Sequence, residues 1–273
     1  PCLVAVDPAQ REGMEKDAKK KSHPIQRIPS KLIFVVKTTG KYKTRLVACG
    51  NFCYEVIGQT TTSDLDGAIL RYLISWVAGR KSQQAQLGEQ VVLQLDISSA
   101  FTNSELPSNR LVIIQPPNML FSLGFLKPGT VWIAKRAIYG LKESPALWAE
   151  TRTKELSSMN LPDHLSLVPL KTTDGIWAVI PKGSECLRGE RDENGEIVSD
   201  EGVFHHPVYF PDVRALLGIY VDDVIGVGSS KVVHSTMGAI QKTWRTSPVE
   251  QLTHENDLQF LGMWLKLKWC AQR

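Results

Sequence analysis

Cysteine is scarce in this sequence. Five cysteines occur in 273 residues, and none of them belongs to a CxxC pair. An odd and sparse set argues against a framework of disulfide bonds and is typical of proteins in a reducing compartment. Cys49 and Cys53 are close in sequence and His205 and His206 are adjacent, but neither spacing is that of a tetrahedral zinc site.

Long hydrophobic runs are also missing. No apolar stretch approaches the roughly 20 residues of a membrane-spanning helix. No signal peptide is recognisable, and there is no internal repeat. These absences argue against a membrane partner and a repeat architecture. Because the sequence begins with Pro1 and not with methionine, we expect it to be part of a longer polypeptide.

The residues that are present are typical of a globular protein. Apolar residues make up 42% and charged residues 22% of the sequence, which is enough for one large domain or two subdomains around a sizeable core. The net charge is only +4, but the N-terminal part is rich in basic residues: Lys19, Lys20, Lys21, Arg27, Lys31, Lys37, Lys41, Lys43 and Arg45. This asymmetry suggests a polyanionic partner, whereas composition alone favours a solvated basic face without one.

The first 30 residues are predicted to form a polar lead-in or linker, with order beginning at Lys31. They mix charges of both signs, and prolines interrupt them at three positions: Pro8, Pro24 and Pro29. Polar segments punctuated by proline seldom support a packed helix or strand. The segment is therefore expected to be weakly ordered.

Strand and helix patterns follow this segment. Two β-rich runs, 32–36 and 44–48, lie on either side of Gly40 and predict a hairpin that carries basic residues. Apolar residues at helical spacing then predict a helix that ends near Gly79. The run VVLQLD is typical of a buried strand, and it ends at Asp96.

The second half of the chain continues this mixture. LVIIQPP predicts a strand that is stopped by two prolines. A helix is predicted to begin at Ser144, and another helical segment lies around 239–245. The polar and acidic stretch Gly183–Gly202 lacks periodicity and predicts a surface loop.

Two adjacent carboxylates, Asp222 and Asp223, lie between short apolar runs in the segment GIYVDDVIGVG. Aspartate is depleted in strands, and neighbouring carboxylates repel each other unless a cation or a proton neutralises them. The pattern predicts a hairpin with both carboxylates at its turn. An acidic turn without a function would explain this pair equally well.

Asp96 favours a functional site over an acidic turn without a function, because it ends a predicted strand. The ends of neighbouring strands can bring three carboxylates together, and Mg²⁺ prefers carboxylates combined with phosphate oxygens and water. Two such ions roughly 3.5–4 Å apart can activate an attacking hydroxyl and stabilise the leaving oxygen of a phosphoryl displacement. Asp96, Asp222 and Asp223 therefore form a candidate two-metal site.

Six segments between Pro29 and about Leu265 resemble, in order, the reverse transcriptase of copia-type (Pseudoviridae) long-terminal-repeat retrotransposons. These segments are KYKTRLVACGNF, LQLDISSAFTNSEL, LVIIQPPNM, IYGLKESPALW, YVDD and QFLGMWL. They are similar to the basic fingers segment, the first catalytic block, the Gln-Pro-Pro strand, the Tyr-Gly-Leu-Lys-Gln block, the catalytic turn and the Phe-Leu-Gly segment of that family. Six blocks in the family's order are far more specific than any one block.

The resemblance implies an α+β fold of the right-hand polymerase type, with fingers and a palm that is an antiparallel sheet backed by helices. Residues 31–265 would be the fingers and palm region of a Pol polyprotein. The fingers would cover about 31–90 and the palm about 91–265. Residues 266–273 would be the truncated start of the following region.

The resemblance also implies catalytic and metal-binding roles. Asp96, Asp222 and Asp223 match the catalytic aspartates, and Ile97 stands where the family lends a backbone carbonyl to a metal. The implied cofactors are two Mg²⁺ ions, with Mn²⁺ as a substitute. Phe101 matches an aromatic residue that faces the sugar of the incoming nucleotide, with an ordinary core aromatic as the alternative.

Further positions match nucleotide, primer or template contacts of the family. Lys43 and Arg45 match triphosphate contacts, although a generic basic edge would look the same. The block near the nucleotide and template comprises Tyr139, Gly140, Leu141 and Lys142. Primer and template contacts are implied for Tyr220, Val221, Phe260, Leu261 and Gly262. A structural turn before a helix would explain the first block, and a strand with a glycine kink would explain the last three positions.

Some residues depart from the family pattern. Glu143 stands where glutamine is usual, and its carboxylate would repel phosphates unless it turns away or pairs with Lys142. Ala146 replaces a common arginine, and the Gly183–Gly202 loop is longer than the family pattern requires. Trp148 and Trp264 are predicted to be core residues and not base-stacking platforms.

The leading interpretation is an RNA-directed DNA polymerase domain of a transposable element. Its partners would be an RNA or DNA primer–template, deoxynucleoside triphosphates and the remaining Pol regions (thumb, RNase H and integrase), which this sequence lacks. The family acts in cytoplasmic virus-like particles and leads to DNA integration, which implies an intracellular location that includes the nucleus. Two alternatives remain: a decayed remnant that binds nucleic acid, and an unrelated metal-dependent phosphohydrolase, which would explain only the carboxylates.

Overall fold

The fold is taken from a computed structural model of the chain. It describes residues 1–36, 40–53, 65–81, 88–162, 164–170, 175–182, 190–191, 197–199 and 212–268. The helices are α1 (Pro8–Lys20), α2 (Gly67–Lys81), α3 (Asn118–Ser122), α4 (Ser144–Ser157) and α5 (Ser230–Thr243), with short 3₁₀ turns at Gly50–Phe52 and Ala100–Asn103.

The strands are short and spread along the whole chain. The first eight are β1 (Leu3–Val6), β2 (Ile25–Val36), β3 (Tyr42–Ala48), β4 (Gln90–Asp96), β5 (Leu111–Gln115), β6 (Val131–Ala134), β7 (Leu165–Pro169) and β8 (Ile176–Pro181). The others are β9 (Glu190–Arg191), β10 (Ile197–Ser199), β11 (Ala215–Tyr220), β12 (Asp223–Ser229), β13 (Glu250–Gln251), β14 (Leu258–Phe260) and β15 (Met263–Leu265).

The chain divides into two compact units. Unit 1 consists of Pro1–Thr62 and Ser99–Arg152, and unit 2 consists of Ser63–Ser98 and Thr153–Arg273. Each unit has its own sheet. Among the described residues, no helix is long and apolar enough to cross a membrane.

Unit 1 contains a five-stranded sheet in the order β1-β6-β5-β2-β3. All neighbours are antiparallel except β2 and β5, which run parallel. Because side chains alternate along a strand, apolar residues of β5 belong to two different cores. Val112 and Ile114 pack with the Ile138–Leu141 segment on one side, while Leu111 and Ile113 pack with α1 on the other.

The expectation that order begins at Lys31 is wrong, because the segment before it contributes β1, α1 and the start of β2. Strand β1 pairs with β6. Asp7 caps α1 by accepting a hydrogen bond from the amide of Gln10, and Pro8 occupies the first helical turn. Proline is tolerated there because that amide has no partner inside the helix. Pro8 therefore lies at the start of α1, Pro24 just before β2 and Pro29 within β2, so these prolines do not indicate a lack of structure.

The predicted hairpin around Gly40 is confirmed. Strands β2 and β3 pair from Ser30 opposite Ala48 to Val36 opposite Tyr42. Gly40 adopts a φ of 75°, in the left-handed region that favours glycine. Both strands are largely exposed toward this end of the hairpin.

Unit 2 contains a six-stranded antiparallel sheet in the order β13-β4-β12-β11-β8-β7. Helix α2 covers one face, where its Leu70 and Leu73 share a core with Ile225. Helix α5 covers the other face, where Met237 and Val233 lie against Gly226. The predicted α+β class, with an antiparallel sheet backed by helices, is confirmed.

Most of the predicted elements are present. Strand β4 ends at Asp96, and β5 ends before the two prolines. Helix α4 begins at Ser144, as predicted, and α5 is longer than the predicted 239–245 segment. Of the predicted loop Gly183–Gly202, the structure describes only the short antiparallel strands β9 and β10, and the rest lies outside the described residues.

Candidate active site

The hairpin of β11 and β12 places the aspartate pair at one end of the sheet in unit 2. Tyr220 pairs with Asp223, so that Val221 and Asp222 form a two-residue turn. On its other side β12 pairs with β4, and Asp223 lies directly opposite Asp96. Directly opposed residues of antiparallel strands project from the same face of a sheet. Strand register therefore brings Asp96 and Asp223 together, as the sequence predicted.

Backbone hydrogen bonds hold the end of β4 on both sides. The amide of Ile97 donates to the carbonyl of Asp222 at 2.8 Å, and the amide of Ser247 donates to the carbonyl of Asp96 at 2.8 Å. The hydroxyl of Ser247 also accepts a hydrogen bond from the amide of Asp96 at 2.9 Å. The side chain of Ile97 is fully buried. Sequence patterns did not point to Ser247, which supports Asp96 from 151 residues away.

The electrostatics of this cluster are unfavourable for three ionised carboxylates. Burial and, to a smaller extent, the neighbouring carboxylates of Asp222 and Asp96 together raise the pKa of Asp223 to about 6. Burial and like charges both disfavour ionisation of a carboxyl group. The cluster therefore favours binding of a proton or a cation.

The chemistry of this cluster fits a hard divalent cation. Carboxylate oxygens are the ligands that Mg²⁺ prefers, and one or two carboxylates with phosphate oxygens and water are enough to bind it. Within the described residues, no three His, Cys, Asp or Glu side chains already form a metal site. The opposed pair Asp96 and Asp223, with Asp222 in the adjoining turn, could supply the carboxylates for such an ion.

The turn itself is strained. Val221 has a φ of 50°, in the left-handed region. A β-branched residue seldom adopts this conformation, which costs roughly 1–2 kcal/mol for a residue with a Cβ atom. Tyr220, just before the turn, is exposed. Strained backbone of this kind is concentrated at functional sites.

A second hairpin of unit 2, formed by β14 and β15, contains three of the five positions for which primer or template contacts were predicted. Leu261 and Gly262 form its two-residue turn, with φ angles of 52° and 73°, as in the turns that suit a tight hairpin. Phe260 is only 1% exposed and packs in the core. The prediction that Trp264 is a core residue is wrong, because it is 60% exposed and Lys266 lies over its ring.

Unit 1 contains a cluster of one basic and two aromatic side chains, Arg45, Tyr139 and Phe101, which we call the aromatic cluster. The rings of Phe101 and Tyr139 meet edge to face, with centroids 5.0 Å apart and an interplanar angle of 68°. The guanidinium of Arg45 lies 5.7 Å from the centroid of the Tyr139 ring. The sequence had assigned all three residues to nucleotide contacts, but it did not predict that they touch one another.

The backbone around Tyr139 is held by close contacts with β3 and the 3₁₀ turn that follows it. The amide of Ala48 donates to the carbonyl of Tyr139 at 2.7 Å. Gly140 has a φ of 91°, and a Cβ atom added there would be 2.0 Å from the carbonyl oxygen of Ala48. A Cβ atom on Gly50 would likewise be 2.1 Å from the carbonyl oxygen of Gly140. Position 140 therefore requires glycine, because its φ is positive and because an added Cβ atom would meet the carbonyl oxygen of Ala48.

The remaining nucleotide candidates lie at the surface of unit 1. Lys43 is exposed on β3, two residues from Arg45 and on the same face of that strand. Lys142 is exposed as well. Basic groups in these positions are free of the burial that would hinder contact with a phosphate group.

The ion-pair partner of Glu143 is not Lys142. The Glu143 carboxylate is buried and lies 2.7 Å from the guanidinium of Arg110, and the two side chains are 4% and 1% exposed. The sequence did not predict this partner. Trp148 is 1% exposed and is a core residue, as predicted.

A family of known proteins matches part of this sequence. The sequence model of a family described as reverse transcriptase (RNA-dependent DNA polymerase) matches residues 17–180. No curated protein matches the chain. Among solved structures, the chain is similar to telomerase from Candida albicans in complex with a TWJ fragment of telomeric RNA, with 7% sequence identity and a TM-score of 0.48. The alignment covers 97% of this chain and 46% of that chain, so this chain spans less than half the telomerase chain's length.

The family match covers more than half of the 273 residues. It includes Asp96 and all three members of the aromatic cluster, and it ends before Asp222 and Asp223. The chain therefore belongs to the reverse transcriptase (RNA-dependent DNA polymerase) family.

Proposed function

We propose that this chain is the polymerase domain of a retrotransposon reverse transcriptase, of the copia type, which extends a primer 3′-end with deoxynucleoside triphosphates. The observation that carries this proposal is the direct opposition of Asp96 and Asp223, with Asp222 in the adjoining turn. A phosphohydrolase would also need carboxylates, but it would not need the aromatic cluster or belong to this family. The retrotransposon context rests on the order of the six sequence blocks.

In this proposal the carboxylates of Asp96 and Asp222 hold two divalent cations, Mg²⁺ or Mn²⁺, and Asp223 contributes to charge balance. The chemistry that such ions would supply is activation of the primer 3′-hydroxyl and stabilisation of the leaving pyrophosphate. The hydrogen bonds of Ile97 and Ser247 fix the backbone that carries Asp96 and Asp222, and the turn at Val221 adds to this. Preorganisation of this kind lowers the reorganisation that the site needs when the substrate arrives.

The aromatic cluster would contact the incoming nucleotide. Arg45 and the neighbouring Lys43 are suited to the triphosphate, because an exposed guanidinium or ammonium can pair with phosphate oxygens. Phe101 would lie against the 2′ carbon of the sugar, where a phenyl ring offers a ribonucleotide 2′-hydroxyl no hydrogen bond. Tyr139 touches both Arg45 and Phe101 and would set their spacing.

Primer and template would be bound through their phosphate backbones by basic residues, without sequence readout. Of the residues predicted to contact the primer, Tyr220 and the Leu261–Gly262 turn lie at the surface of unit 2. The thumb, RNase H and integrase regions of a Pol polyprotein would act with this domain inside the cell.

The alternative of a decayed remnant loses one of its supports. Glu143 counted in its favour, because an extra carboxylate near the nucleotide would repel phosphates. The structure pairs that carboxylate with Arg110 in a buried position. The departure from the usual glutamine is therefore compatible with activity.

A primer-extension assay tests the proposal. The purified chain should extend a primer on both RNA and DNA templates in the presence of Mg²⁺ or Mn²⁺. Asp222→Asn should lower the extension rate by about 10³-fold or more, because a carboxylate ligand of the metal is lost. Its thermal stability without metal should hold or rise, because repulsion of Asp223 is relieved.

Asp17→Asn is the matched control, because Asp17 is exposed on α1, within unit 1. It should leave extension unchanged. Extension by the Asp222→Asn variant at the wild-type rate would refute the assignment of the carboxylates. A wild-type chain that binds primer–template but extends it on neither template would support the decayed remnant.

A further inference from the structure

A buried ion pair joins two distant segments of unit 1. Nη2 of Arg110, just before β5, is 2.7 Å from Oε1 of Glu143, just before α4. Within the described residues, Nε and Nη1 of Arg110 have no hydrogen-bond partner, and the contact with Glu143 is an ion pair without a well-directed hydrogen bond. The charges of Arg110 and Glu143 are therefore neutralised mainly by each other. Removing one of them would leave the other buried and unpaired.

Glu143 lies at one end of a tightly closed loop. The hydroxyl of Ser144 donates to the carbonyl of Ile138 at 2.7 Å, and the amide of Ser144 donates to the carbonyl of Leu141 at 3.2 Å. The amide of Leu141 also donates to the carbonyl of Ile138 at 3.3 Å. Because these bonds close residues 138–144 on themselves, a shift at Glu143 would be expected to reach Tyr139.

The other end of this loop carries the aromatic cluster. The carbonyl of Tyr139 accepts the Ala48 amide, and the Tyr139 ring contacts Arg45 and Phe101. The segment just before the loop is also attached to the turn that holds Phe101, because the amide of Ala137 donates to the carbonyl of Ser104 at 2.9 Å. The position of the loop therefore determines the spacing within the cluster.

The charges of the pair also reach the 3₁₀ turn beside the loop. Burial raises the pKa of the Cys53 thiol, and the carboxylate of Glu143 raises it further, while Lys142 and Arg110 oppose this shift. The amide of Cys53 donates to the carbonyl of Gly50, the residue that packs on Gly140. The ion pair, the 3₁₀ turn and the loop are thus parts of one packed region.

We propose that Arg110 and Glu143 are positioning residues of the nucleotide site: their ion pair holds the 138–144 loop and thereby sets the placement of Tyr139 against Arg45 and Phe101. This inference rests on the proposed polymerase function for its effect on nucleotides. The two side chains are too buried to contact a nucleotide themselves. They act through Tyr139, and their loss changes nucleotide affinity and sugar selection more than it changes the chemical step.

The first measurement does not depend on catalysis. Hydrogen exchange at the Ala48 amide reports directly on its bond to Tyr139. In Glu143→Gln this exchange should accelerate by about tenfold or more, because the loop opens more often. The amide of Ile97, which donates to Asp222 in unit 2, should exchange at the wild-type rate. The matched control is Glu12→Gln, which neutralises an exposed ion pair with Lys16 on α1 and should change neither amide.

The second measurement is primer extension at a temperature where every variant is folded. Glu143→Gln should raise the KM for deoxynucleotides by about tenfold, because a misplaced binding group loses affinity, while kcat falls by less than about threefold. Incorporation of ribonucleotides should rise relative to deoxynucleotides. The double variant Arg110→Gln/Glu143→Gln also lacks the ion pair, so its KM should stay raised, although less than in Glu143→Gln because no buried charge is left unpaired.

The outcomes separate this inference from the proposed function. Unchanged Ala48 exchange in a folded Glu143→Gln variant overturns the positioning role, as does faster exchange with unchanged KM and sugar selection. Faster exchange in a chain whose wild type has no polymerase activity refutes the proposed function and leaves the positioning of Tyr139 standing. If Glu143→Gln does not fold, Arg110→Lys keeps the charge but loses the planar guanidinium, and the same readouts decide.

Discussion

The two units carry clusters of opposite charge: the carboxylates in unit 2 and the aromatic cluster with Arg45 in unit 1. The fold brings the members of each cluster together in a different way. In unit 2, Asp96 meets Asp223 because β4 and β12 are neighbours in one sheet. In unit 1, Arg45 meets Tyr139 because a loop before α4 is packed on β3. The first cluster depends on strand register alone, whereas the second depends on a series of loop contacts.

This difference predicts different sensitivities. A change of register would move every side chain of a strand to the other face, so the carboxylates of unit 2 stay together as long as the sheet exists. The aromatic cluster of unit 1 has no such protection. Substitutions at residues that never touch Arg45 or Phe101 can disturb it, provided that they move the loop.

The largest expected effect tests how closely the loop of unit 1 is packed. Gly140→Ala should lower the free energy of unfolding by about 3–5 kcal/mol, since its Cβ atom meets the carbonyl of Ala48 and its φ is positive. In unit 2, Gly262→Ala should cost only about 1–2 kcal/mol, since its φ is also positive but no atom lies within 4 Å of the added Cβ. Urea unfolding of both variants measures this contrast, and equal losses would contradict it.

The next effect concerns sugar selection by the aromatic cluster. Phe101→Val should raise ribonucleotide incorporation relative to deoxynucleotide incorporation by about tenfold or more, because space opens for the 2′-hydroxyl. Competitive primer extension with matched nucleotide pairs gives this ratio. A purely structural Phe101 predicts instead that both rates fall with stability, by up to about 3 kcal/mol for the lost burial.

Phe125→Val provides the control for this measurement, because the same chemical change occurs at an exposed phenylalanine of unit 1. It should leave the sugar ratio unchanged. Unchanged sugar selection in a folded and active Phe101→Val enzyme would exclude the steric role of Phe101.

A smaller effect is expected from the pH dependence of unit 2. An acid with a higher pKa in the folded than in the unfolded chain binds more protons when folded, so its contribution to stability is lost as pH rises. For Asp223 this loss should occur between the ordinary pKa of about 4 and the folded value of about 6. Unfolding in metal-free buffer across this range measures it.

The neighbouring carboxylates provide the test of the cause. Asp223→Asn should remove this pH dependence, and Asp222→Asn should reduce it, because one of the anions that raise the pKa of Asp223 is gone. Saturating Mg²⁺ should weaken it as well, since a bound cation favours the ionised form. A pH dependence that is the same in all three cases would mean that another group titrates.

The smallest effect concerns binding of primer–template. A plot of log affinity against log salt concentration should have a slope of roughly −0.9 for each phosphate contact that is neutralised. Lys31→Gln in unit 1 should make this slope shallower by about one contact. Lys266→Gln in unit 2 should change it less, because that ammonium is already 2.7 Å from Asp257. Salt-independent binding would contradict backbone recognition.

The carboxylate cluster could be predicted because its determinants are local in sequence. Two apolar runs around Asp222 and Asp223 make a hairpin, and a buried run that ends at Asp96 makes a strand whose end can join it. The observed register agrees with this prediction. The support from Ser247 could not be predicted, because no sequence pattern links it to Asp96.

Exposure was harder to predict than secondary structure. Trp264 was expected to be a core residue and not a base-stacking platform, but the hairpin of β14 and β15 pairs it with Gln259 and leaves it at the surface. The N-terminal 30 residues were expected to be weakly ordered from composition. Their strand β1 gains its stability from pairing with β6, more than 120 residues later in the chain, and no local pattern reveals that partner.

The sequence by itself determined the periodicities of strands and helices, the hairpin that carries Asp222 and Asp223, and the chemical character of the residues near it, because these properties depend on neighbours along the chain. Only the tertiary structure decided that Glu143 pairs with Arg110, that Tyr139 lies between Arg45 and Phe101, and that Gly140 must remain glycine. These contacts join residues that are distant in sequence, and a buried charge or a close backbone approach is settled by whatever the fold brings next to it.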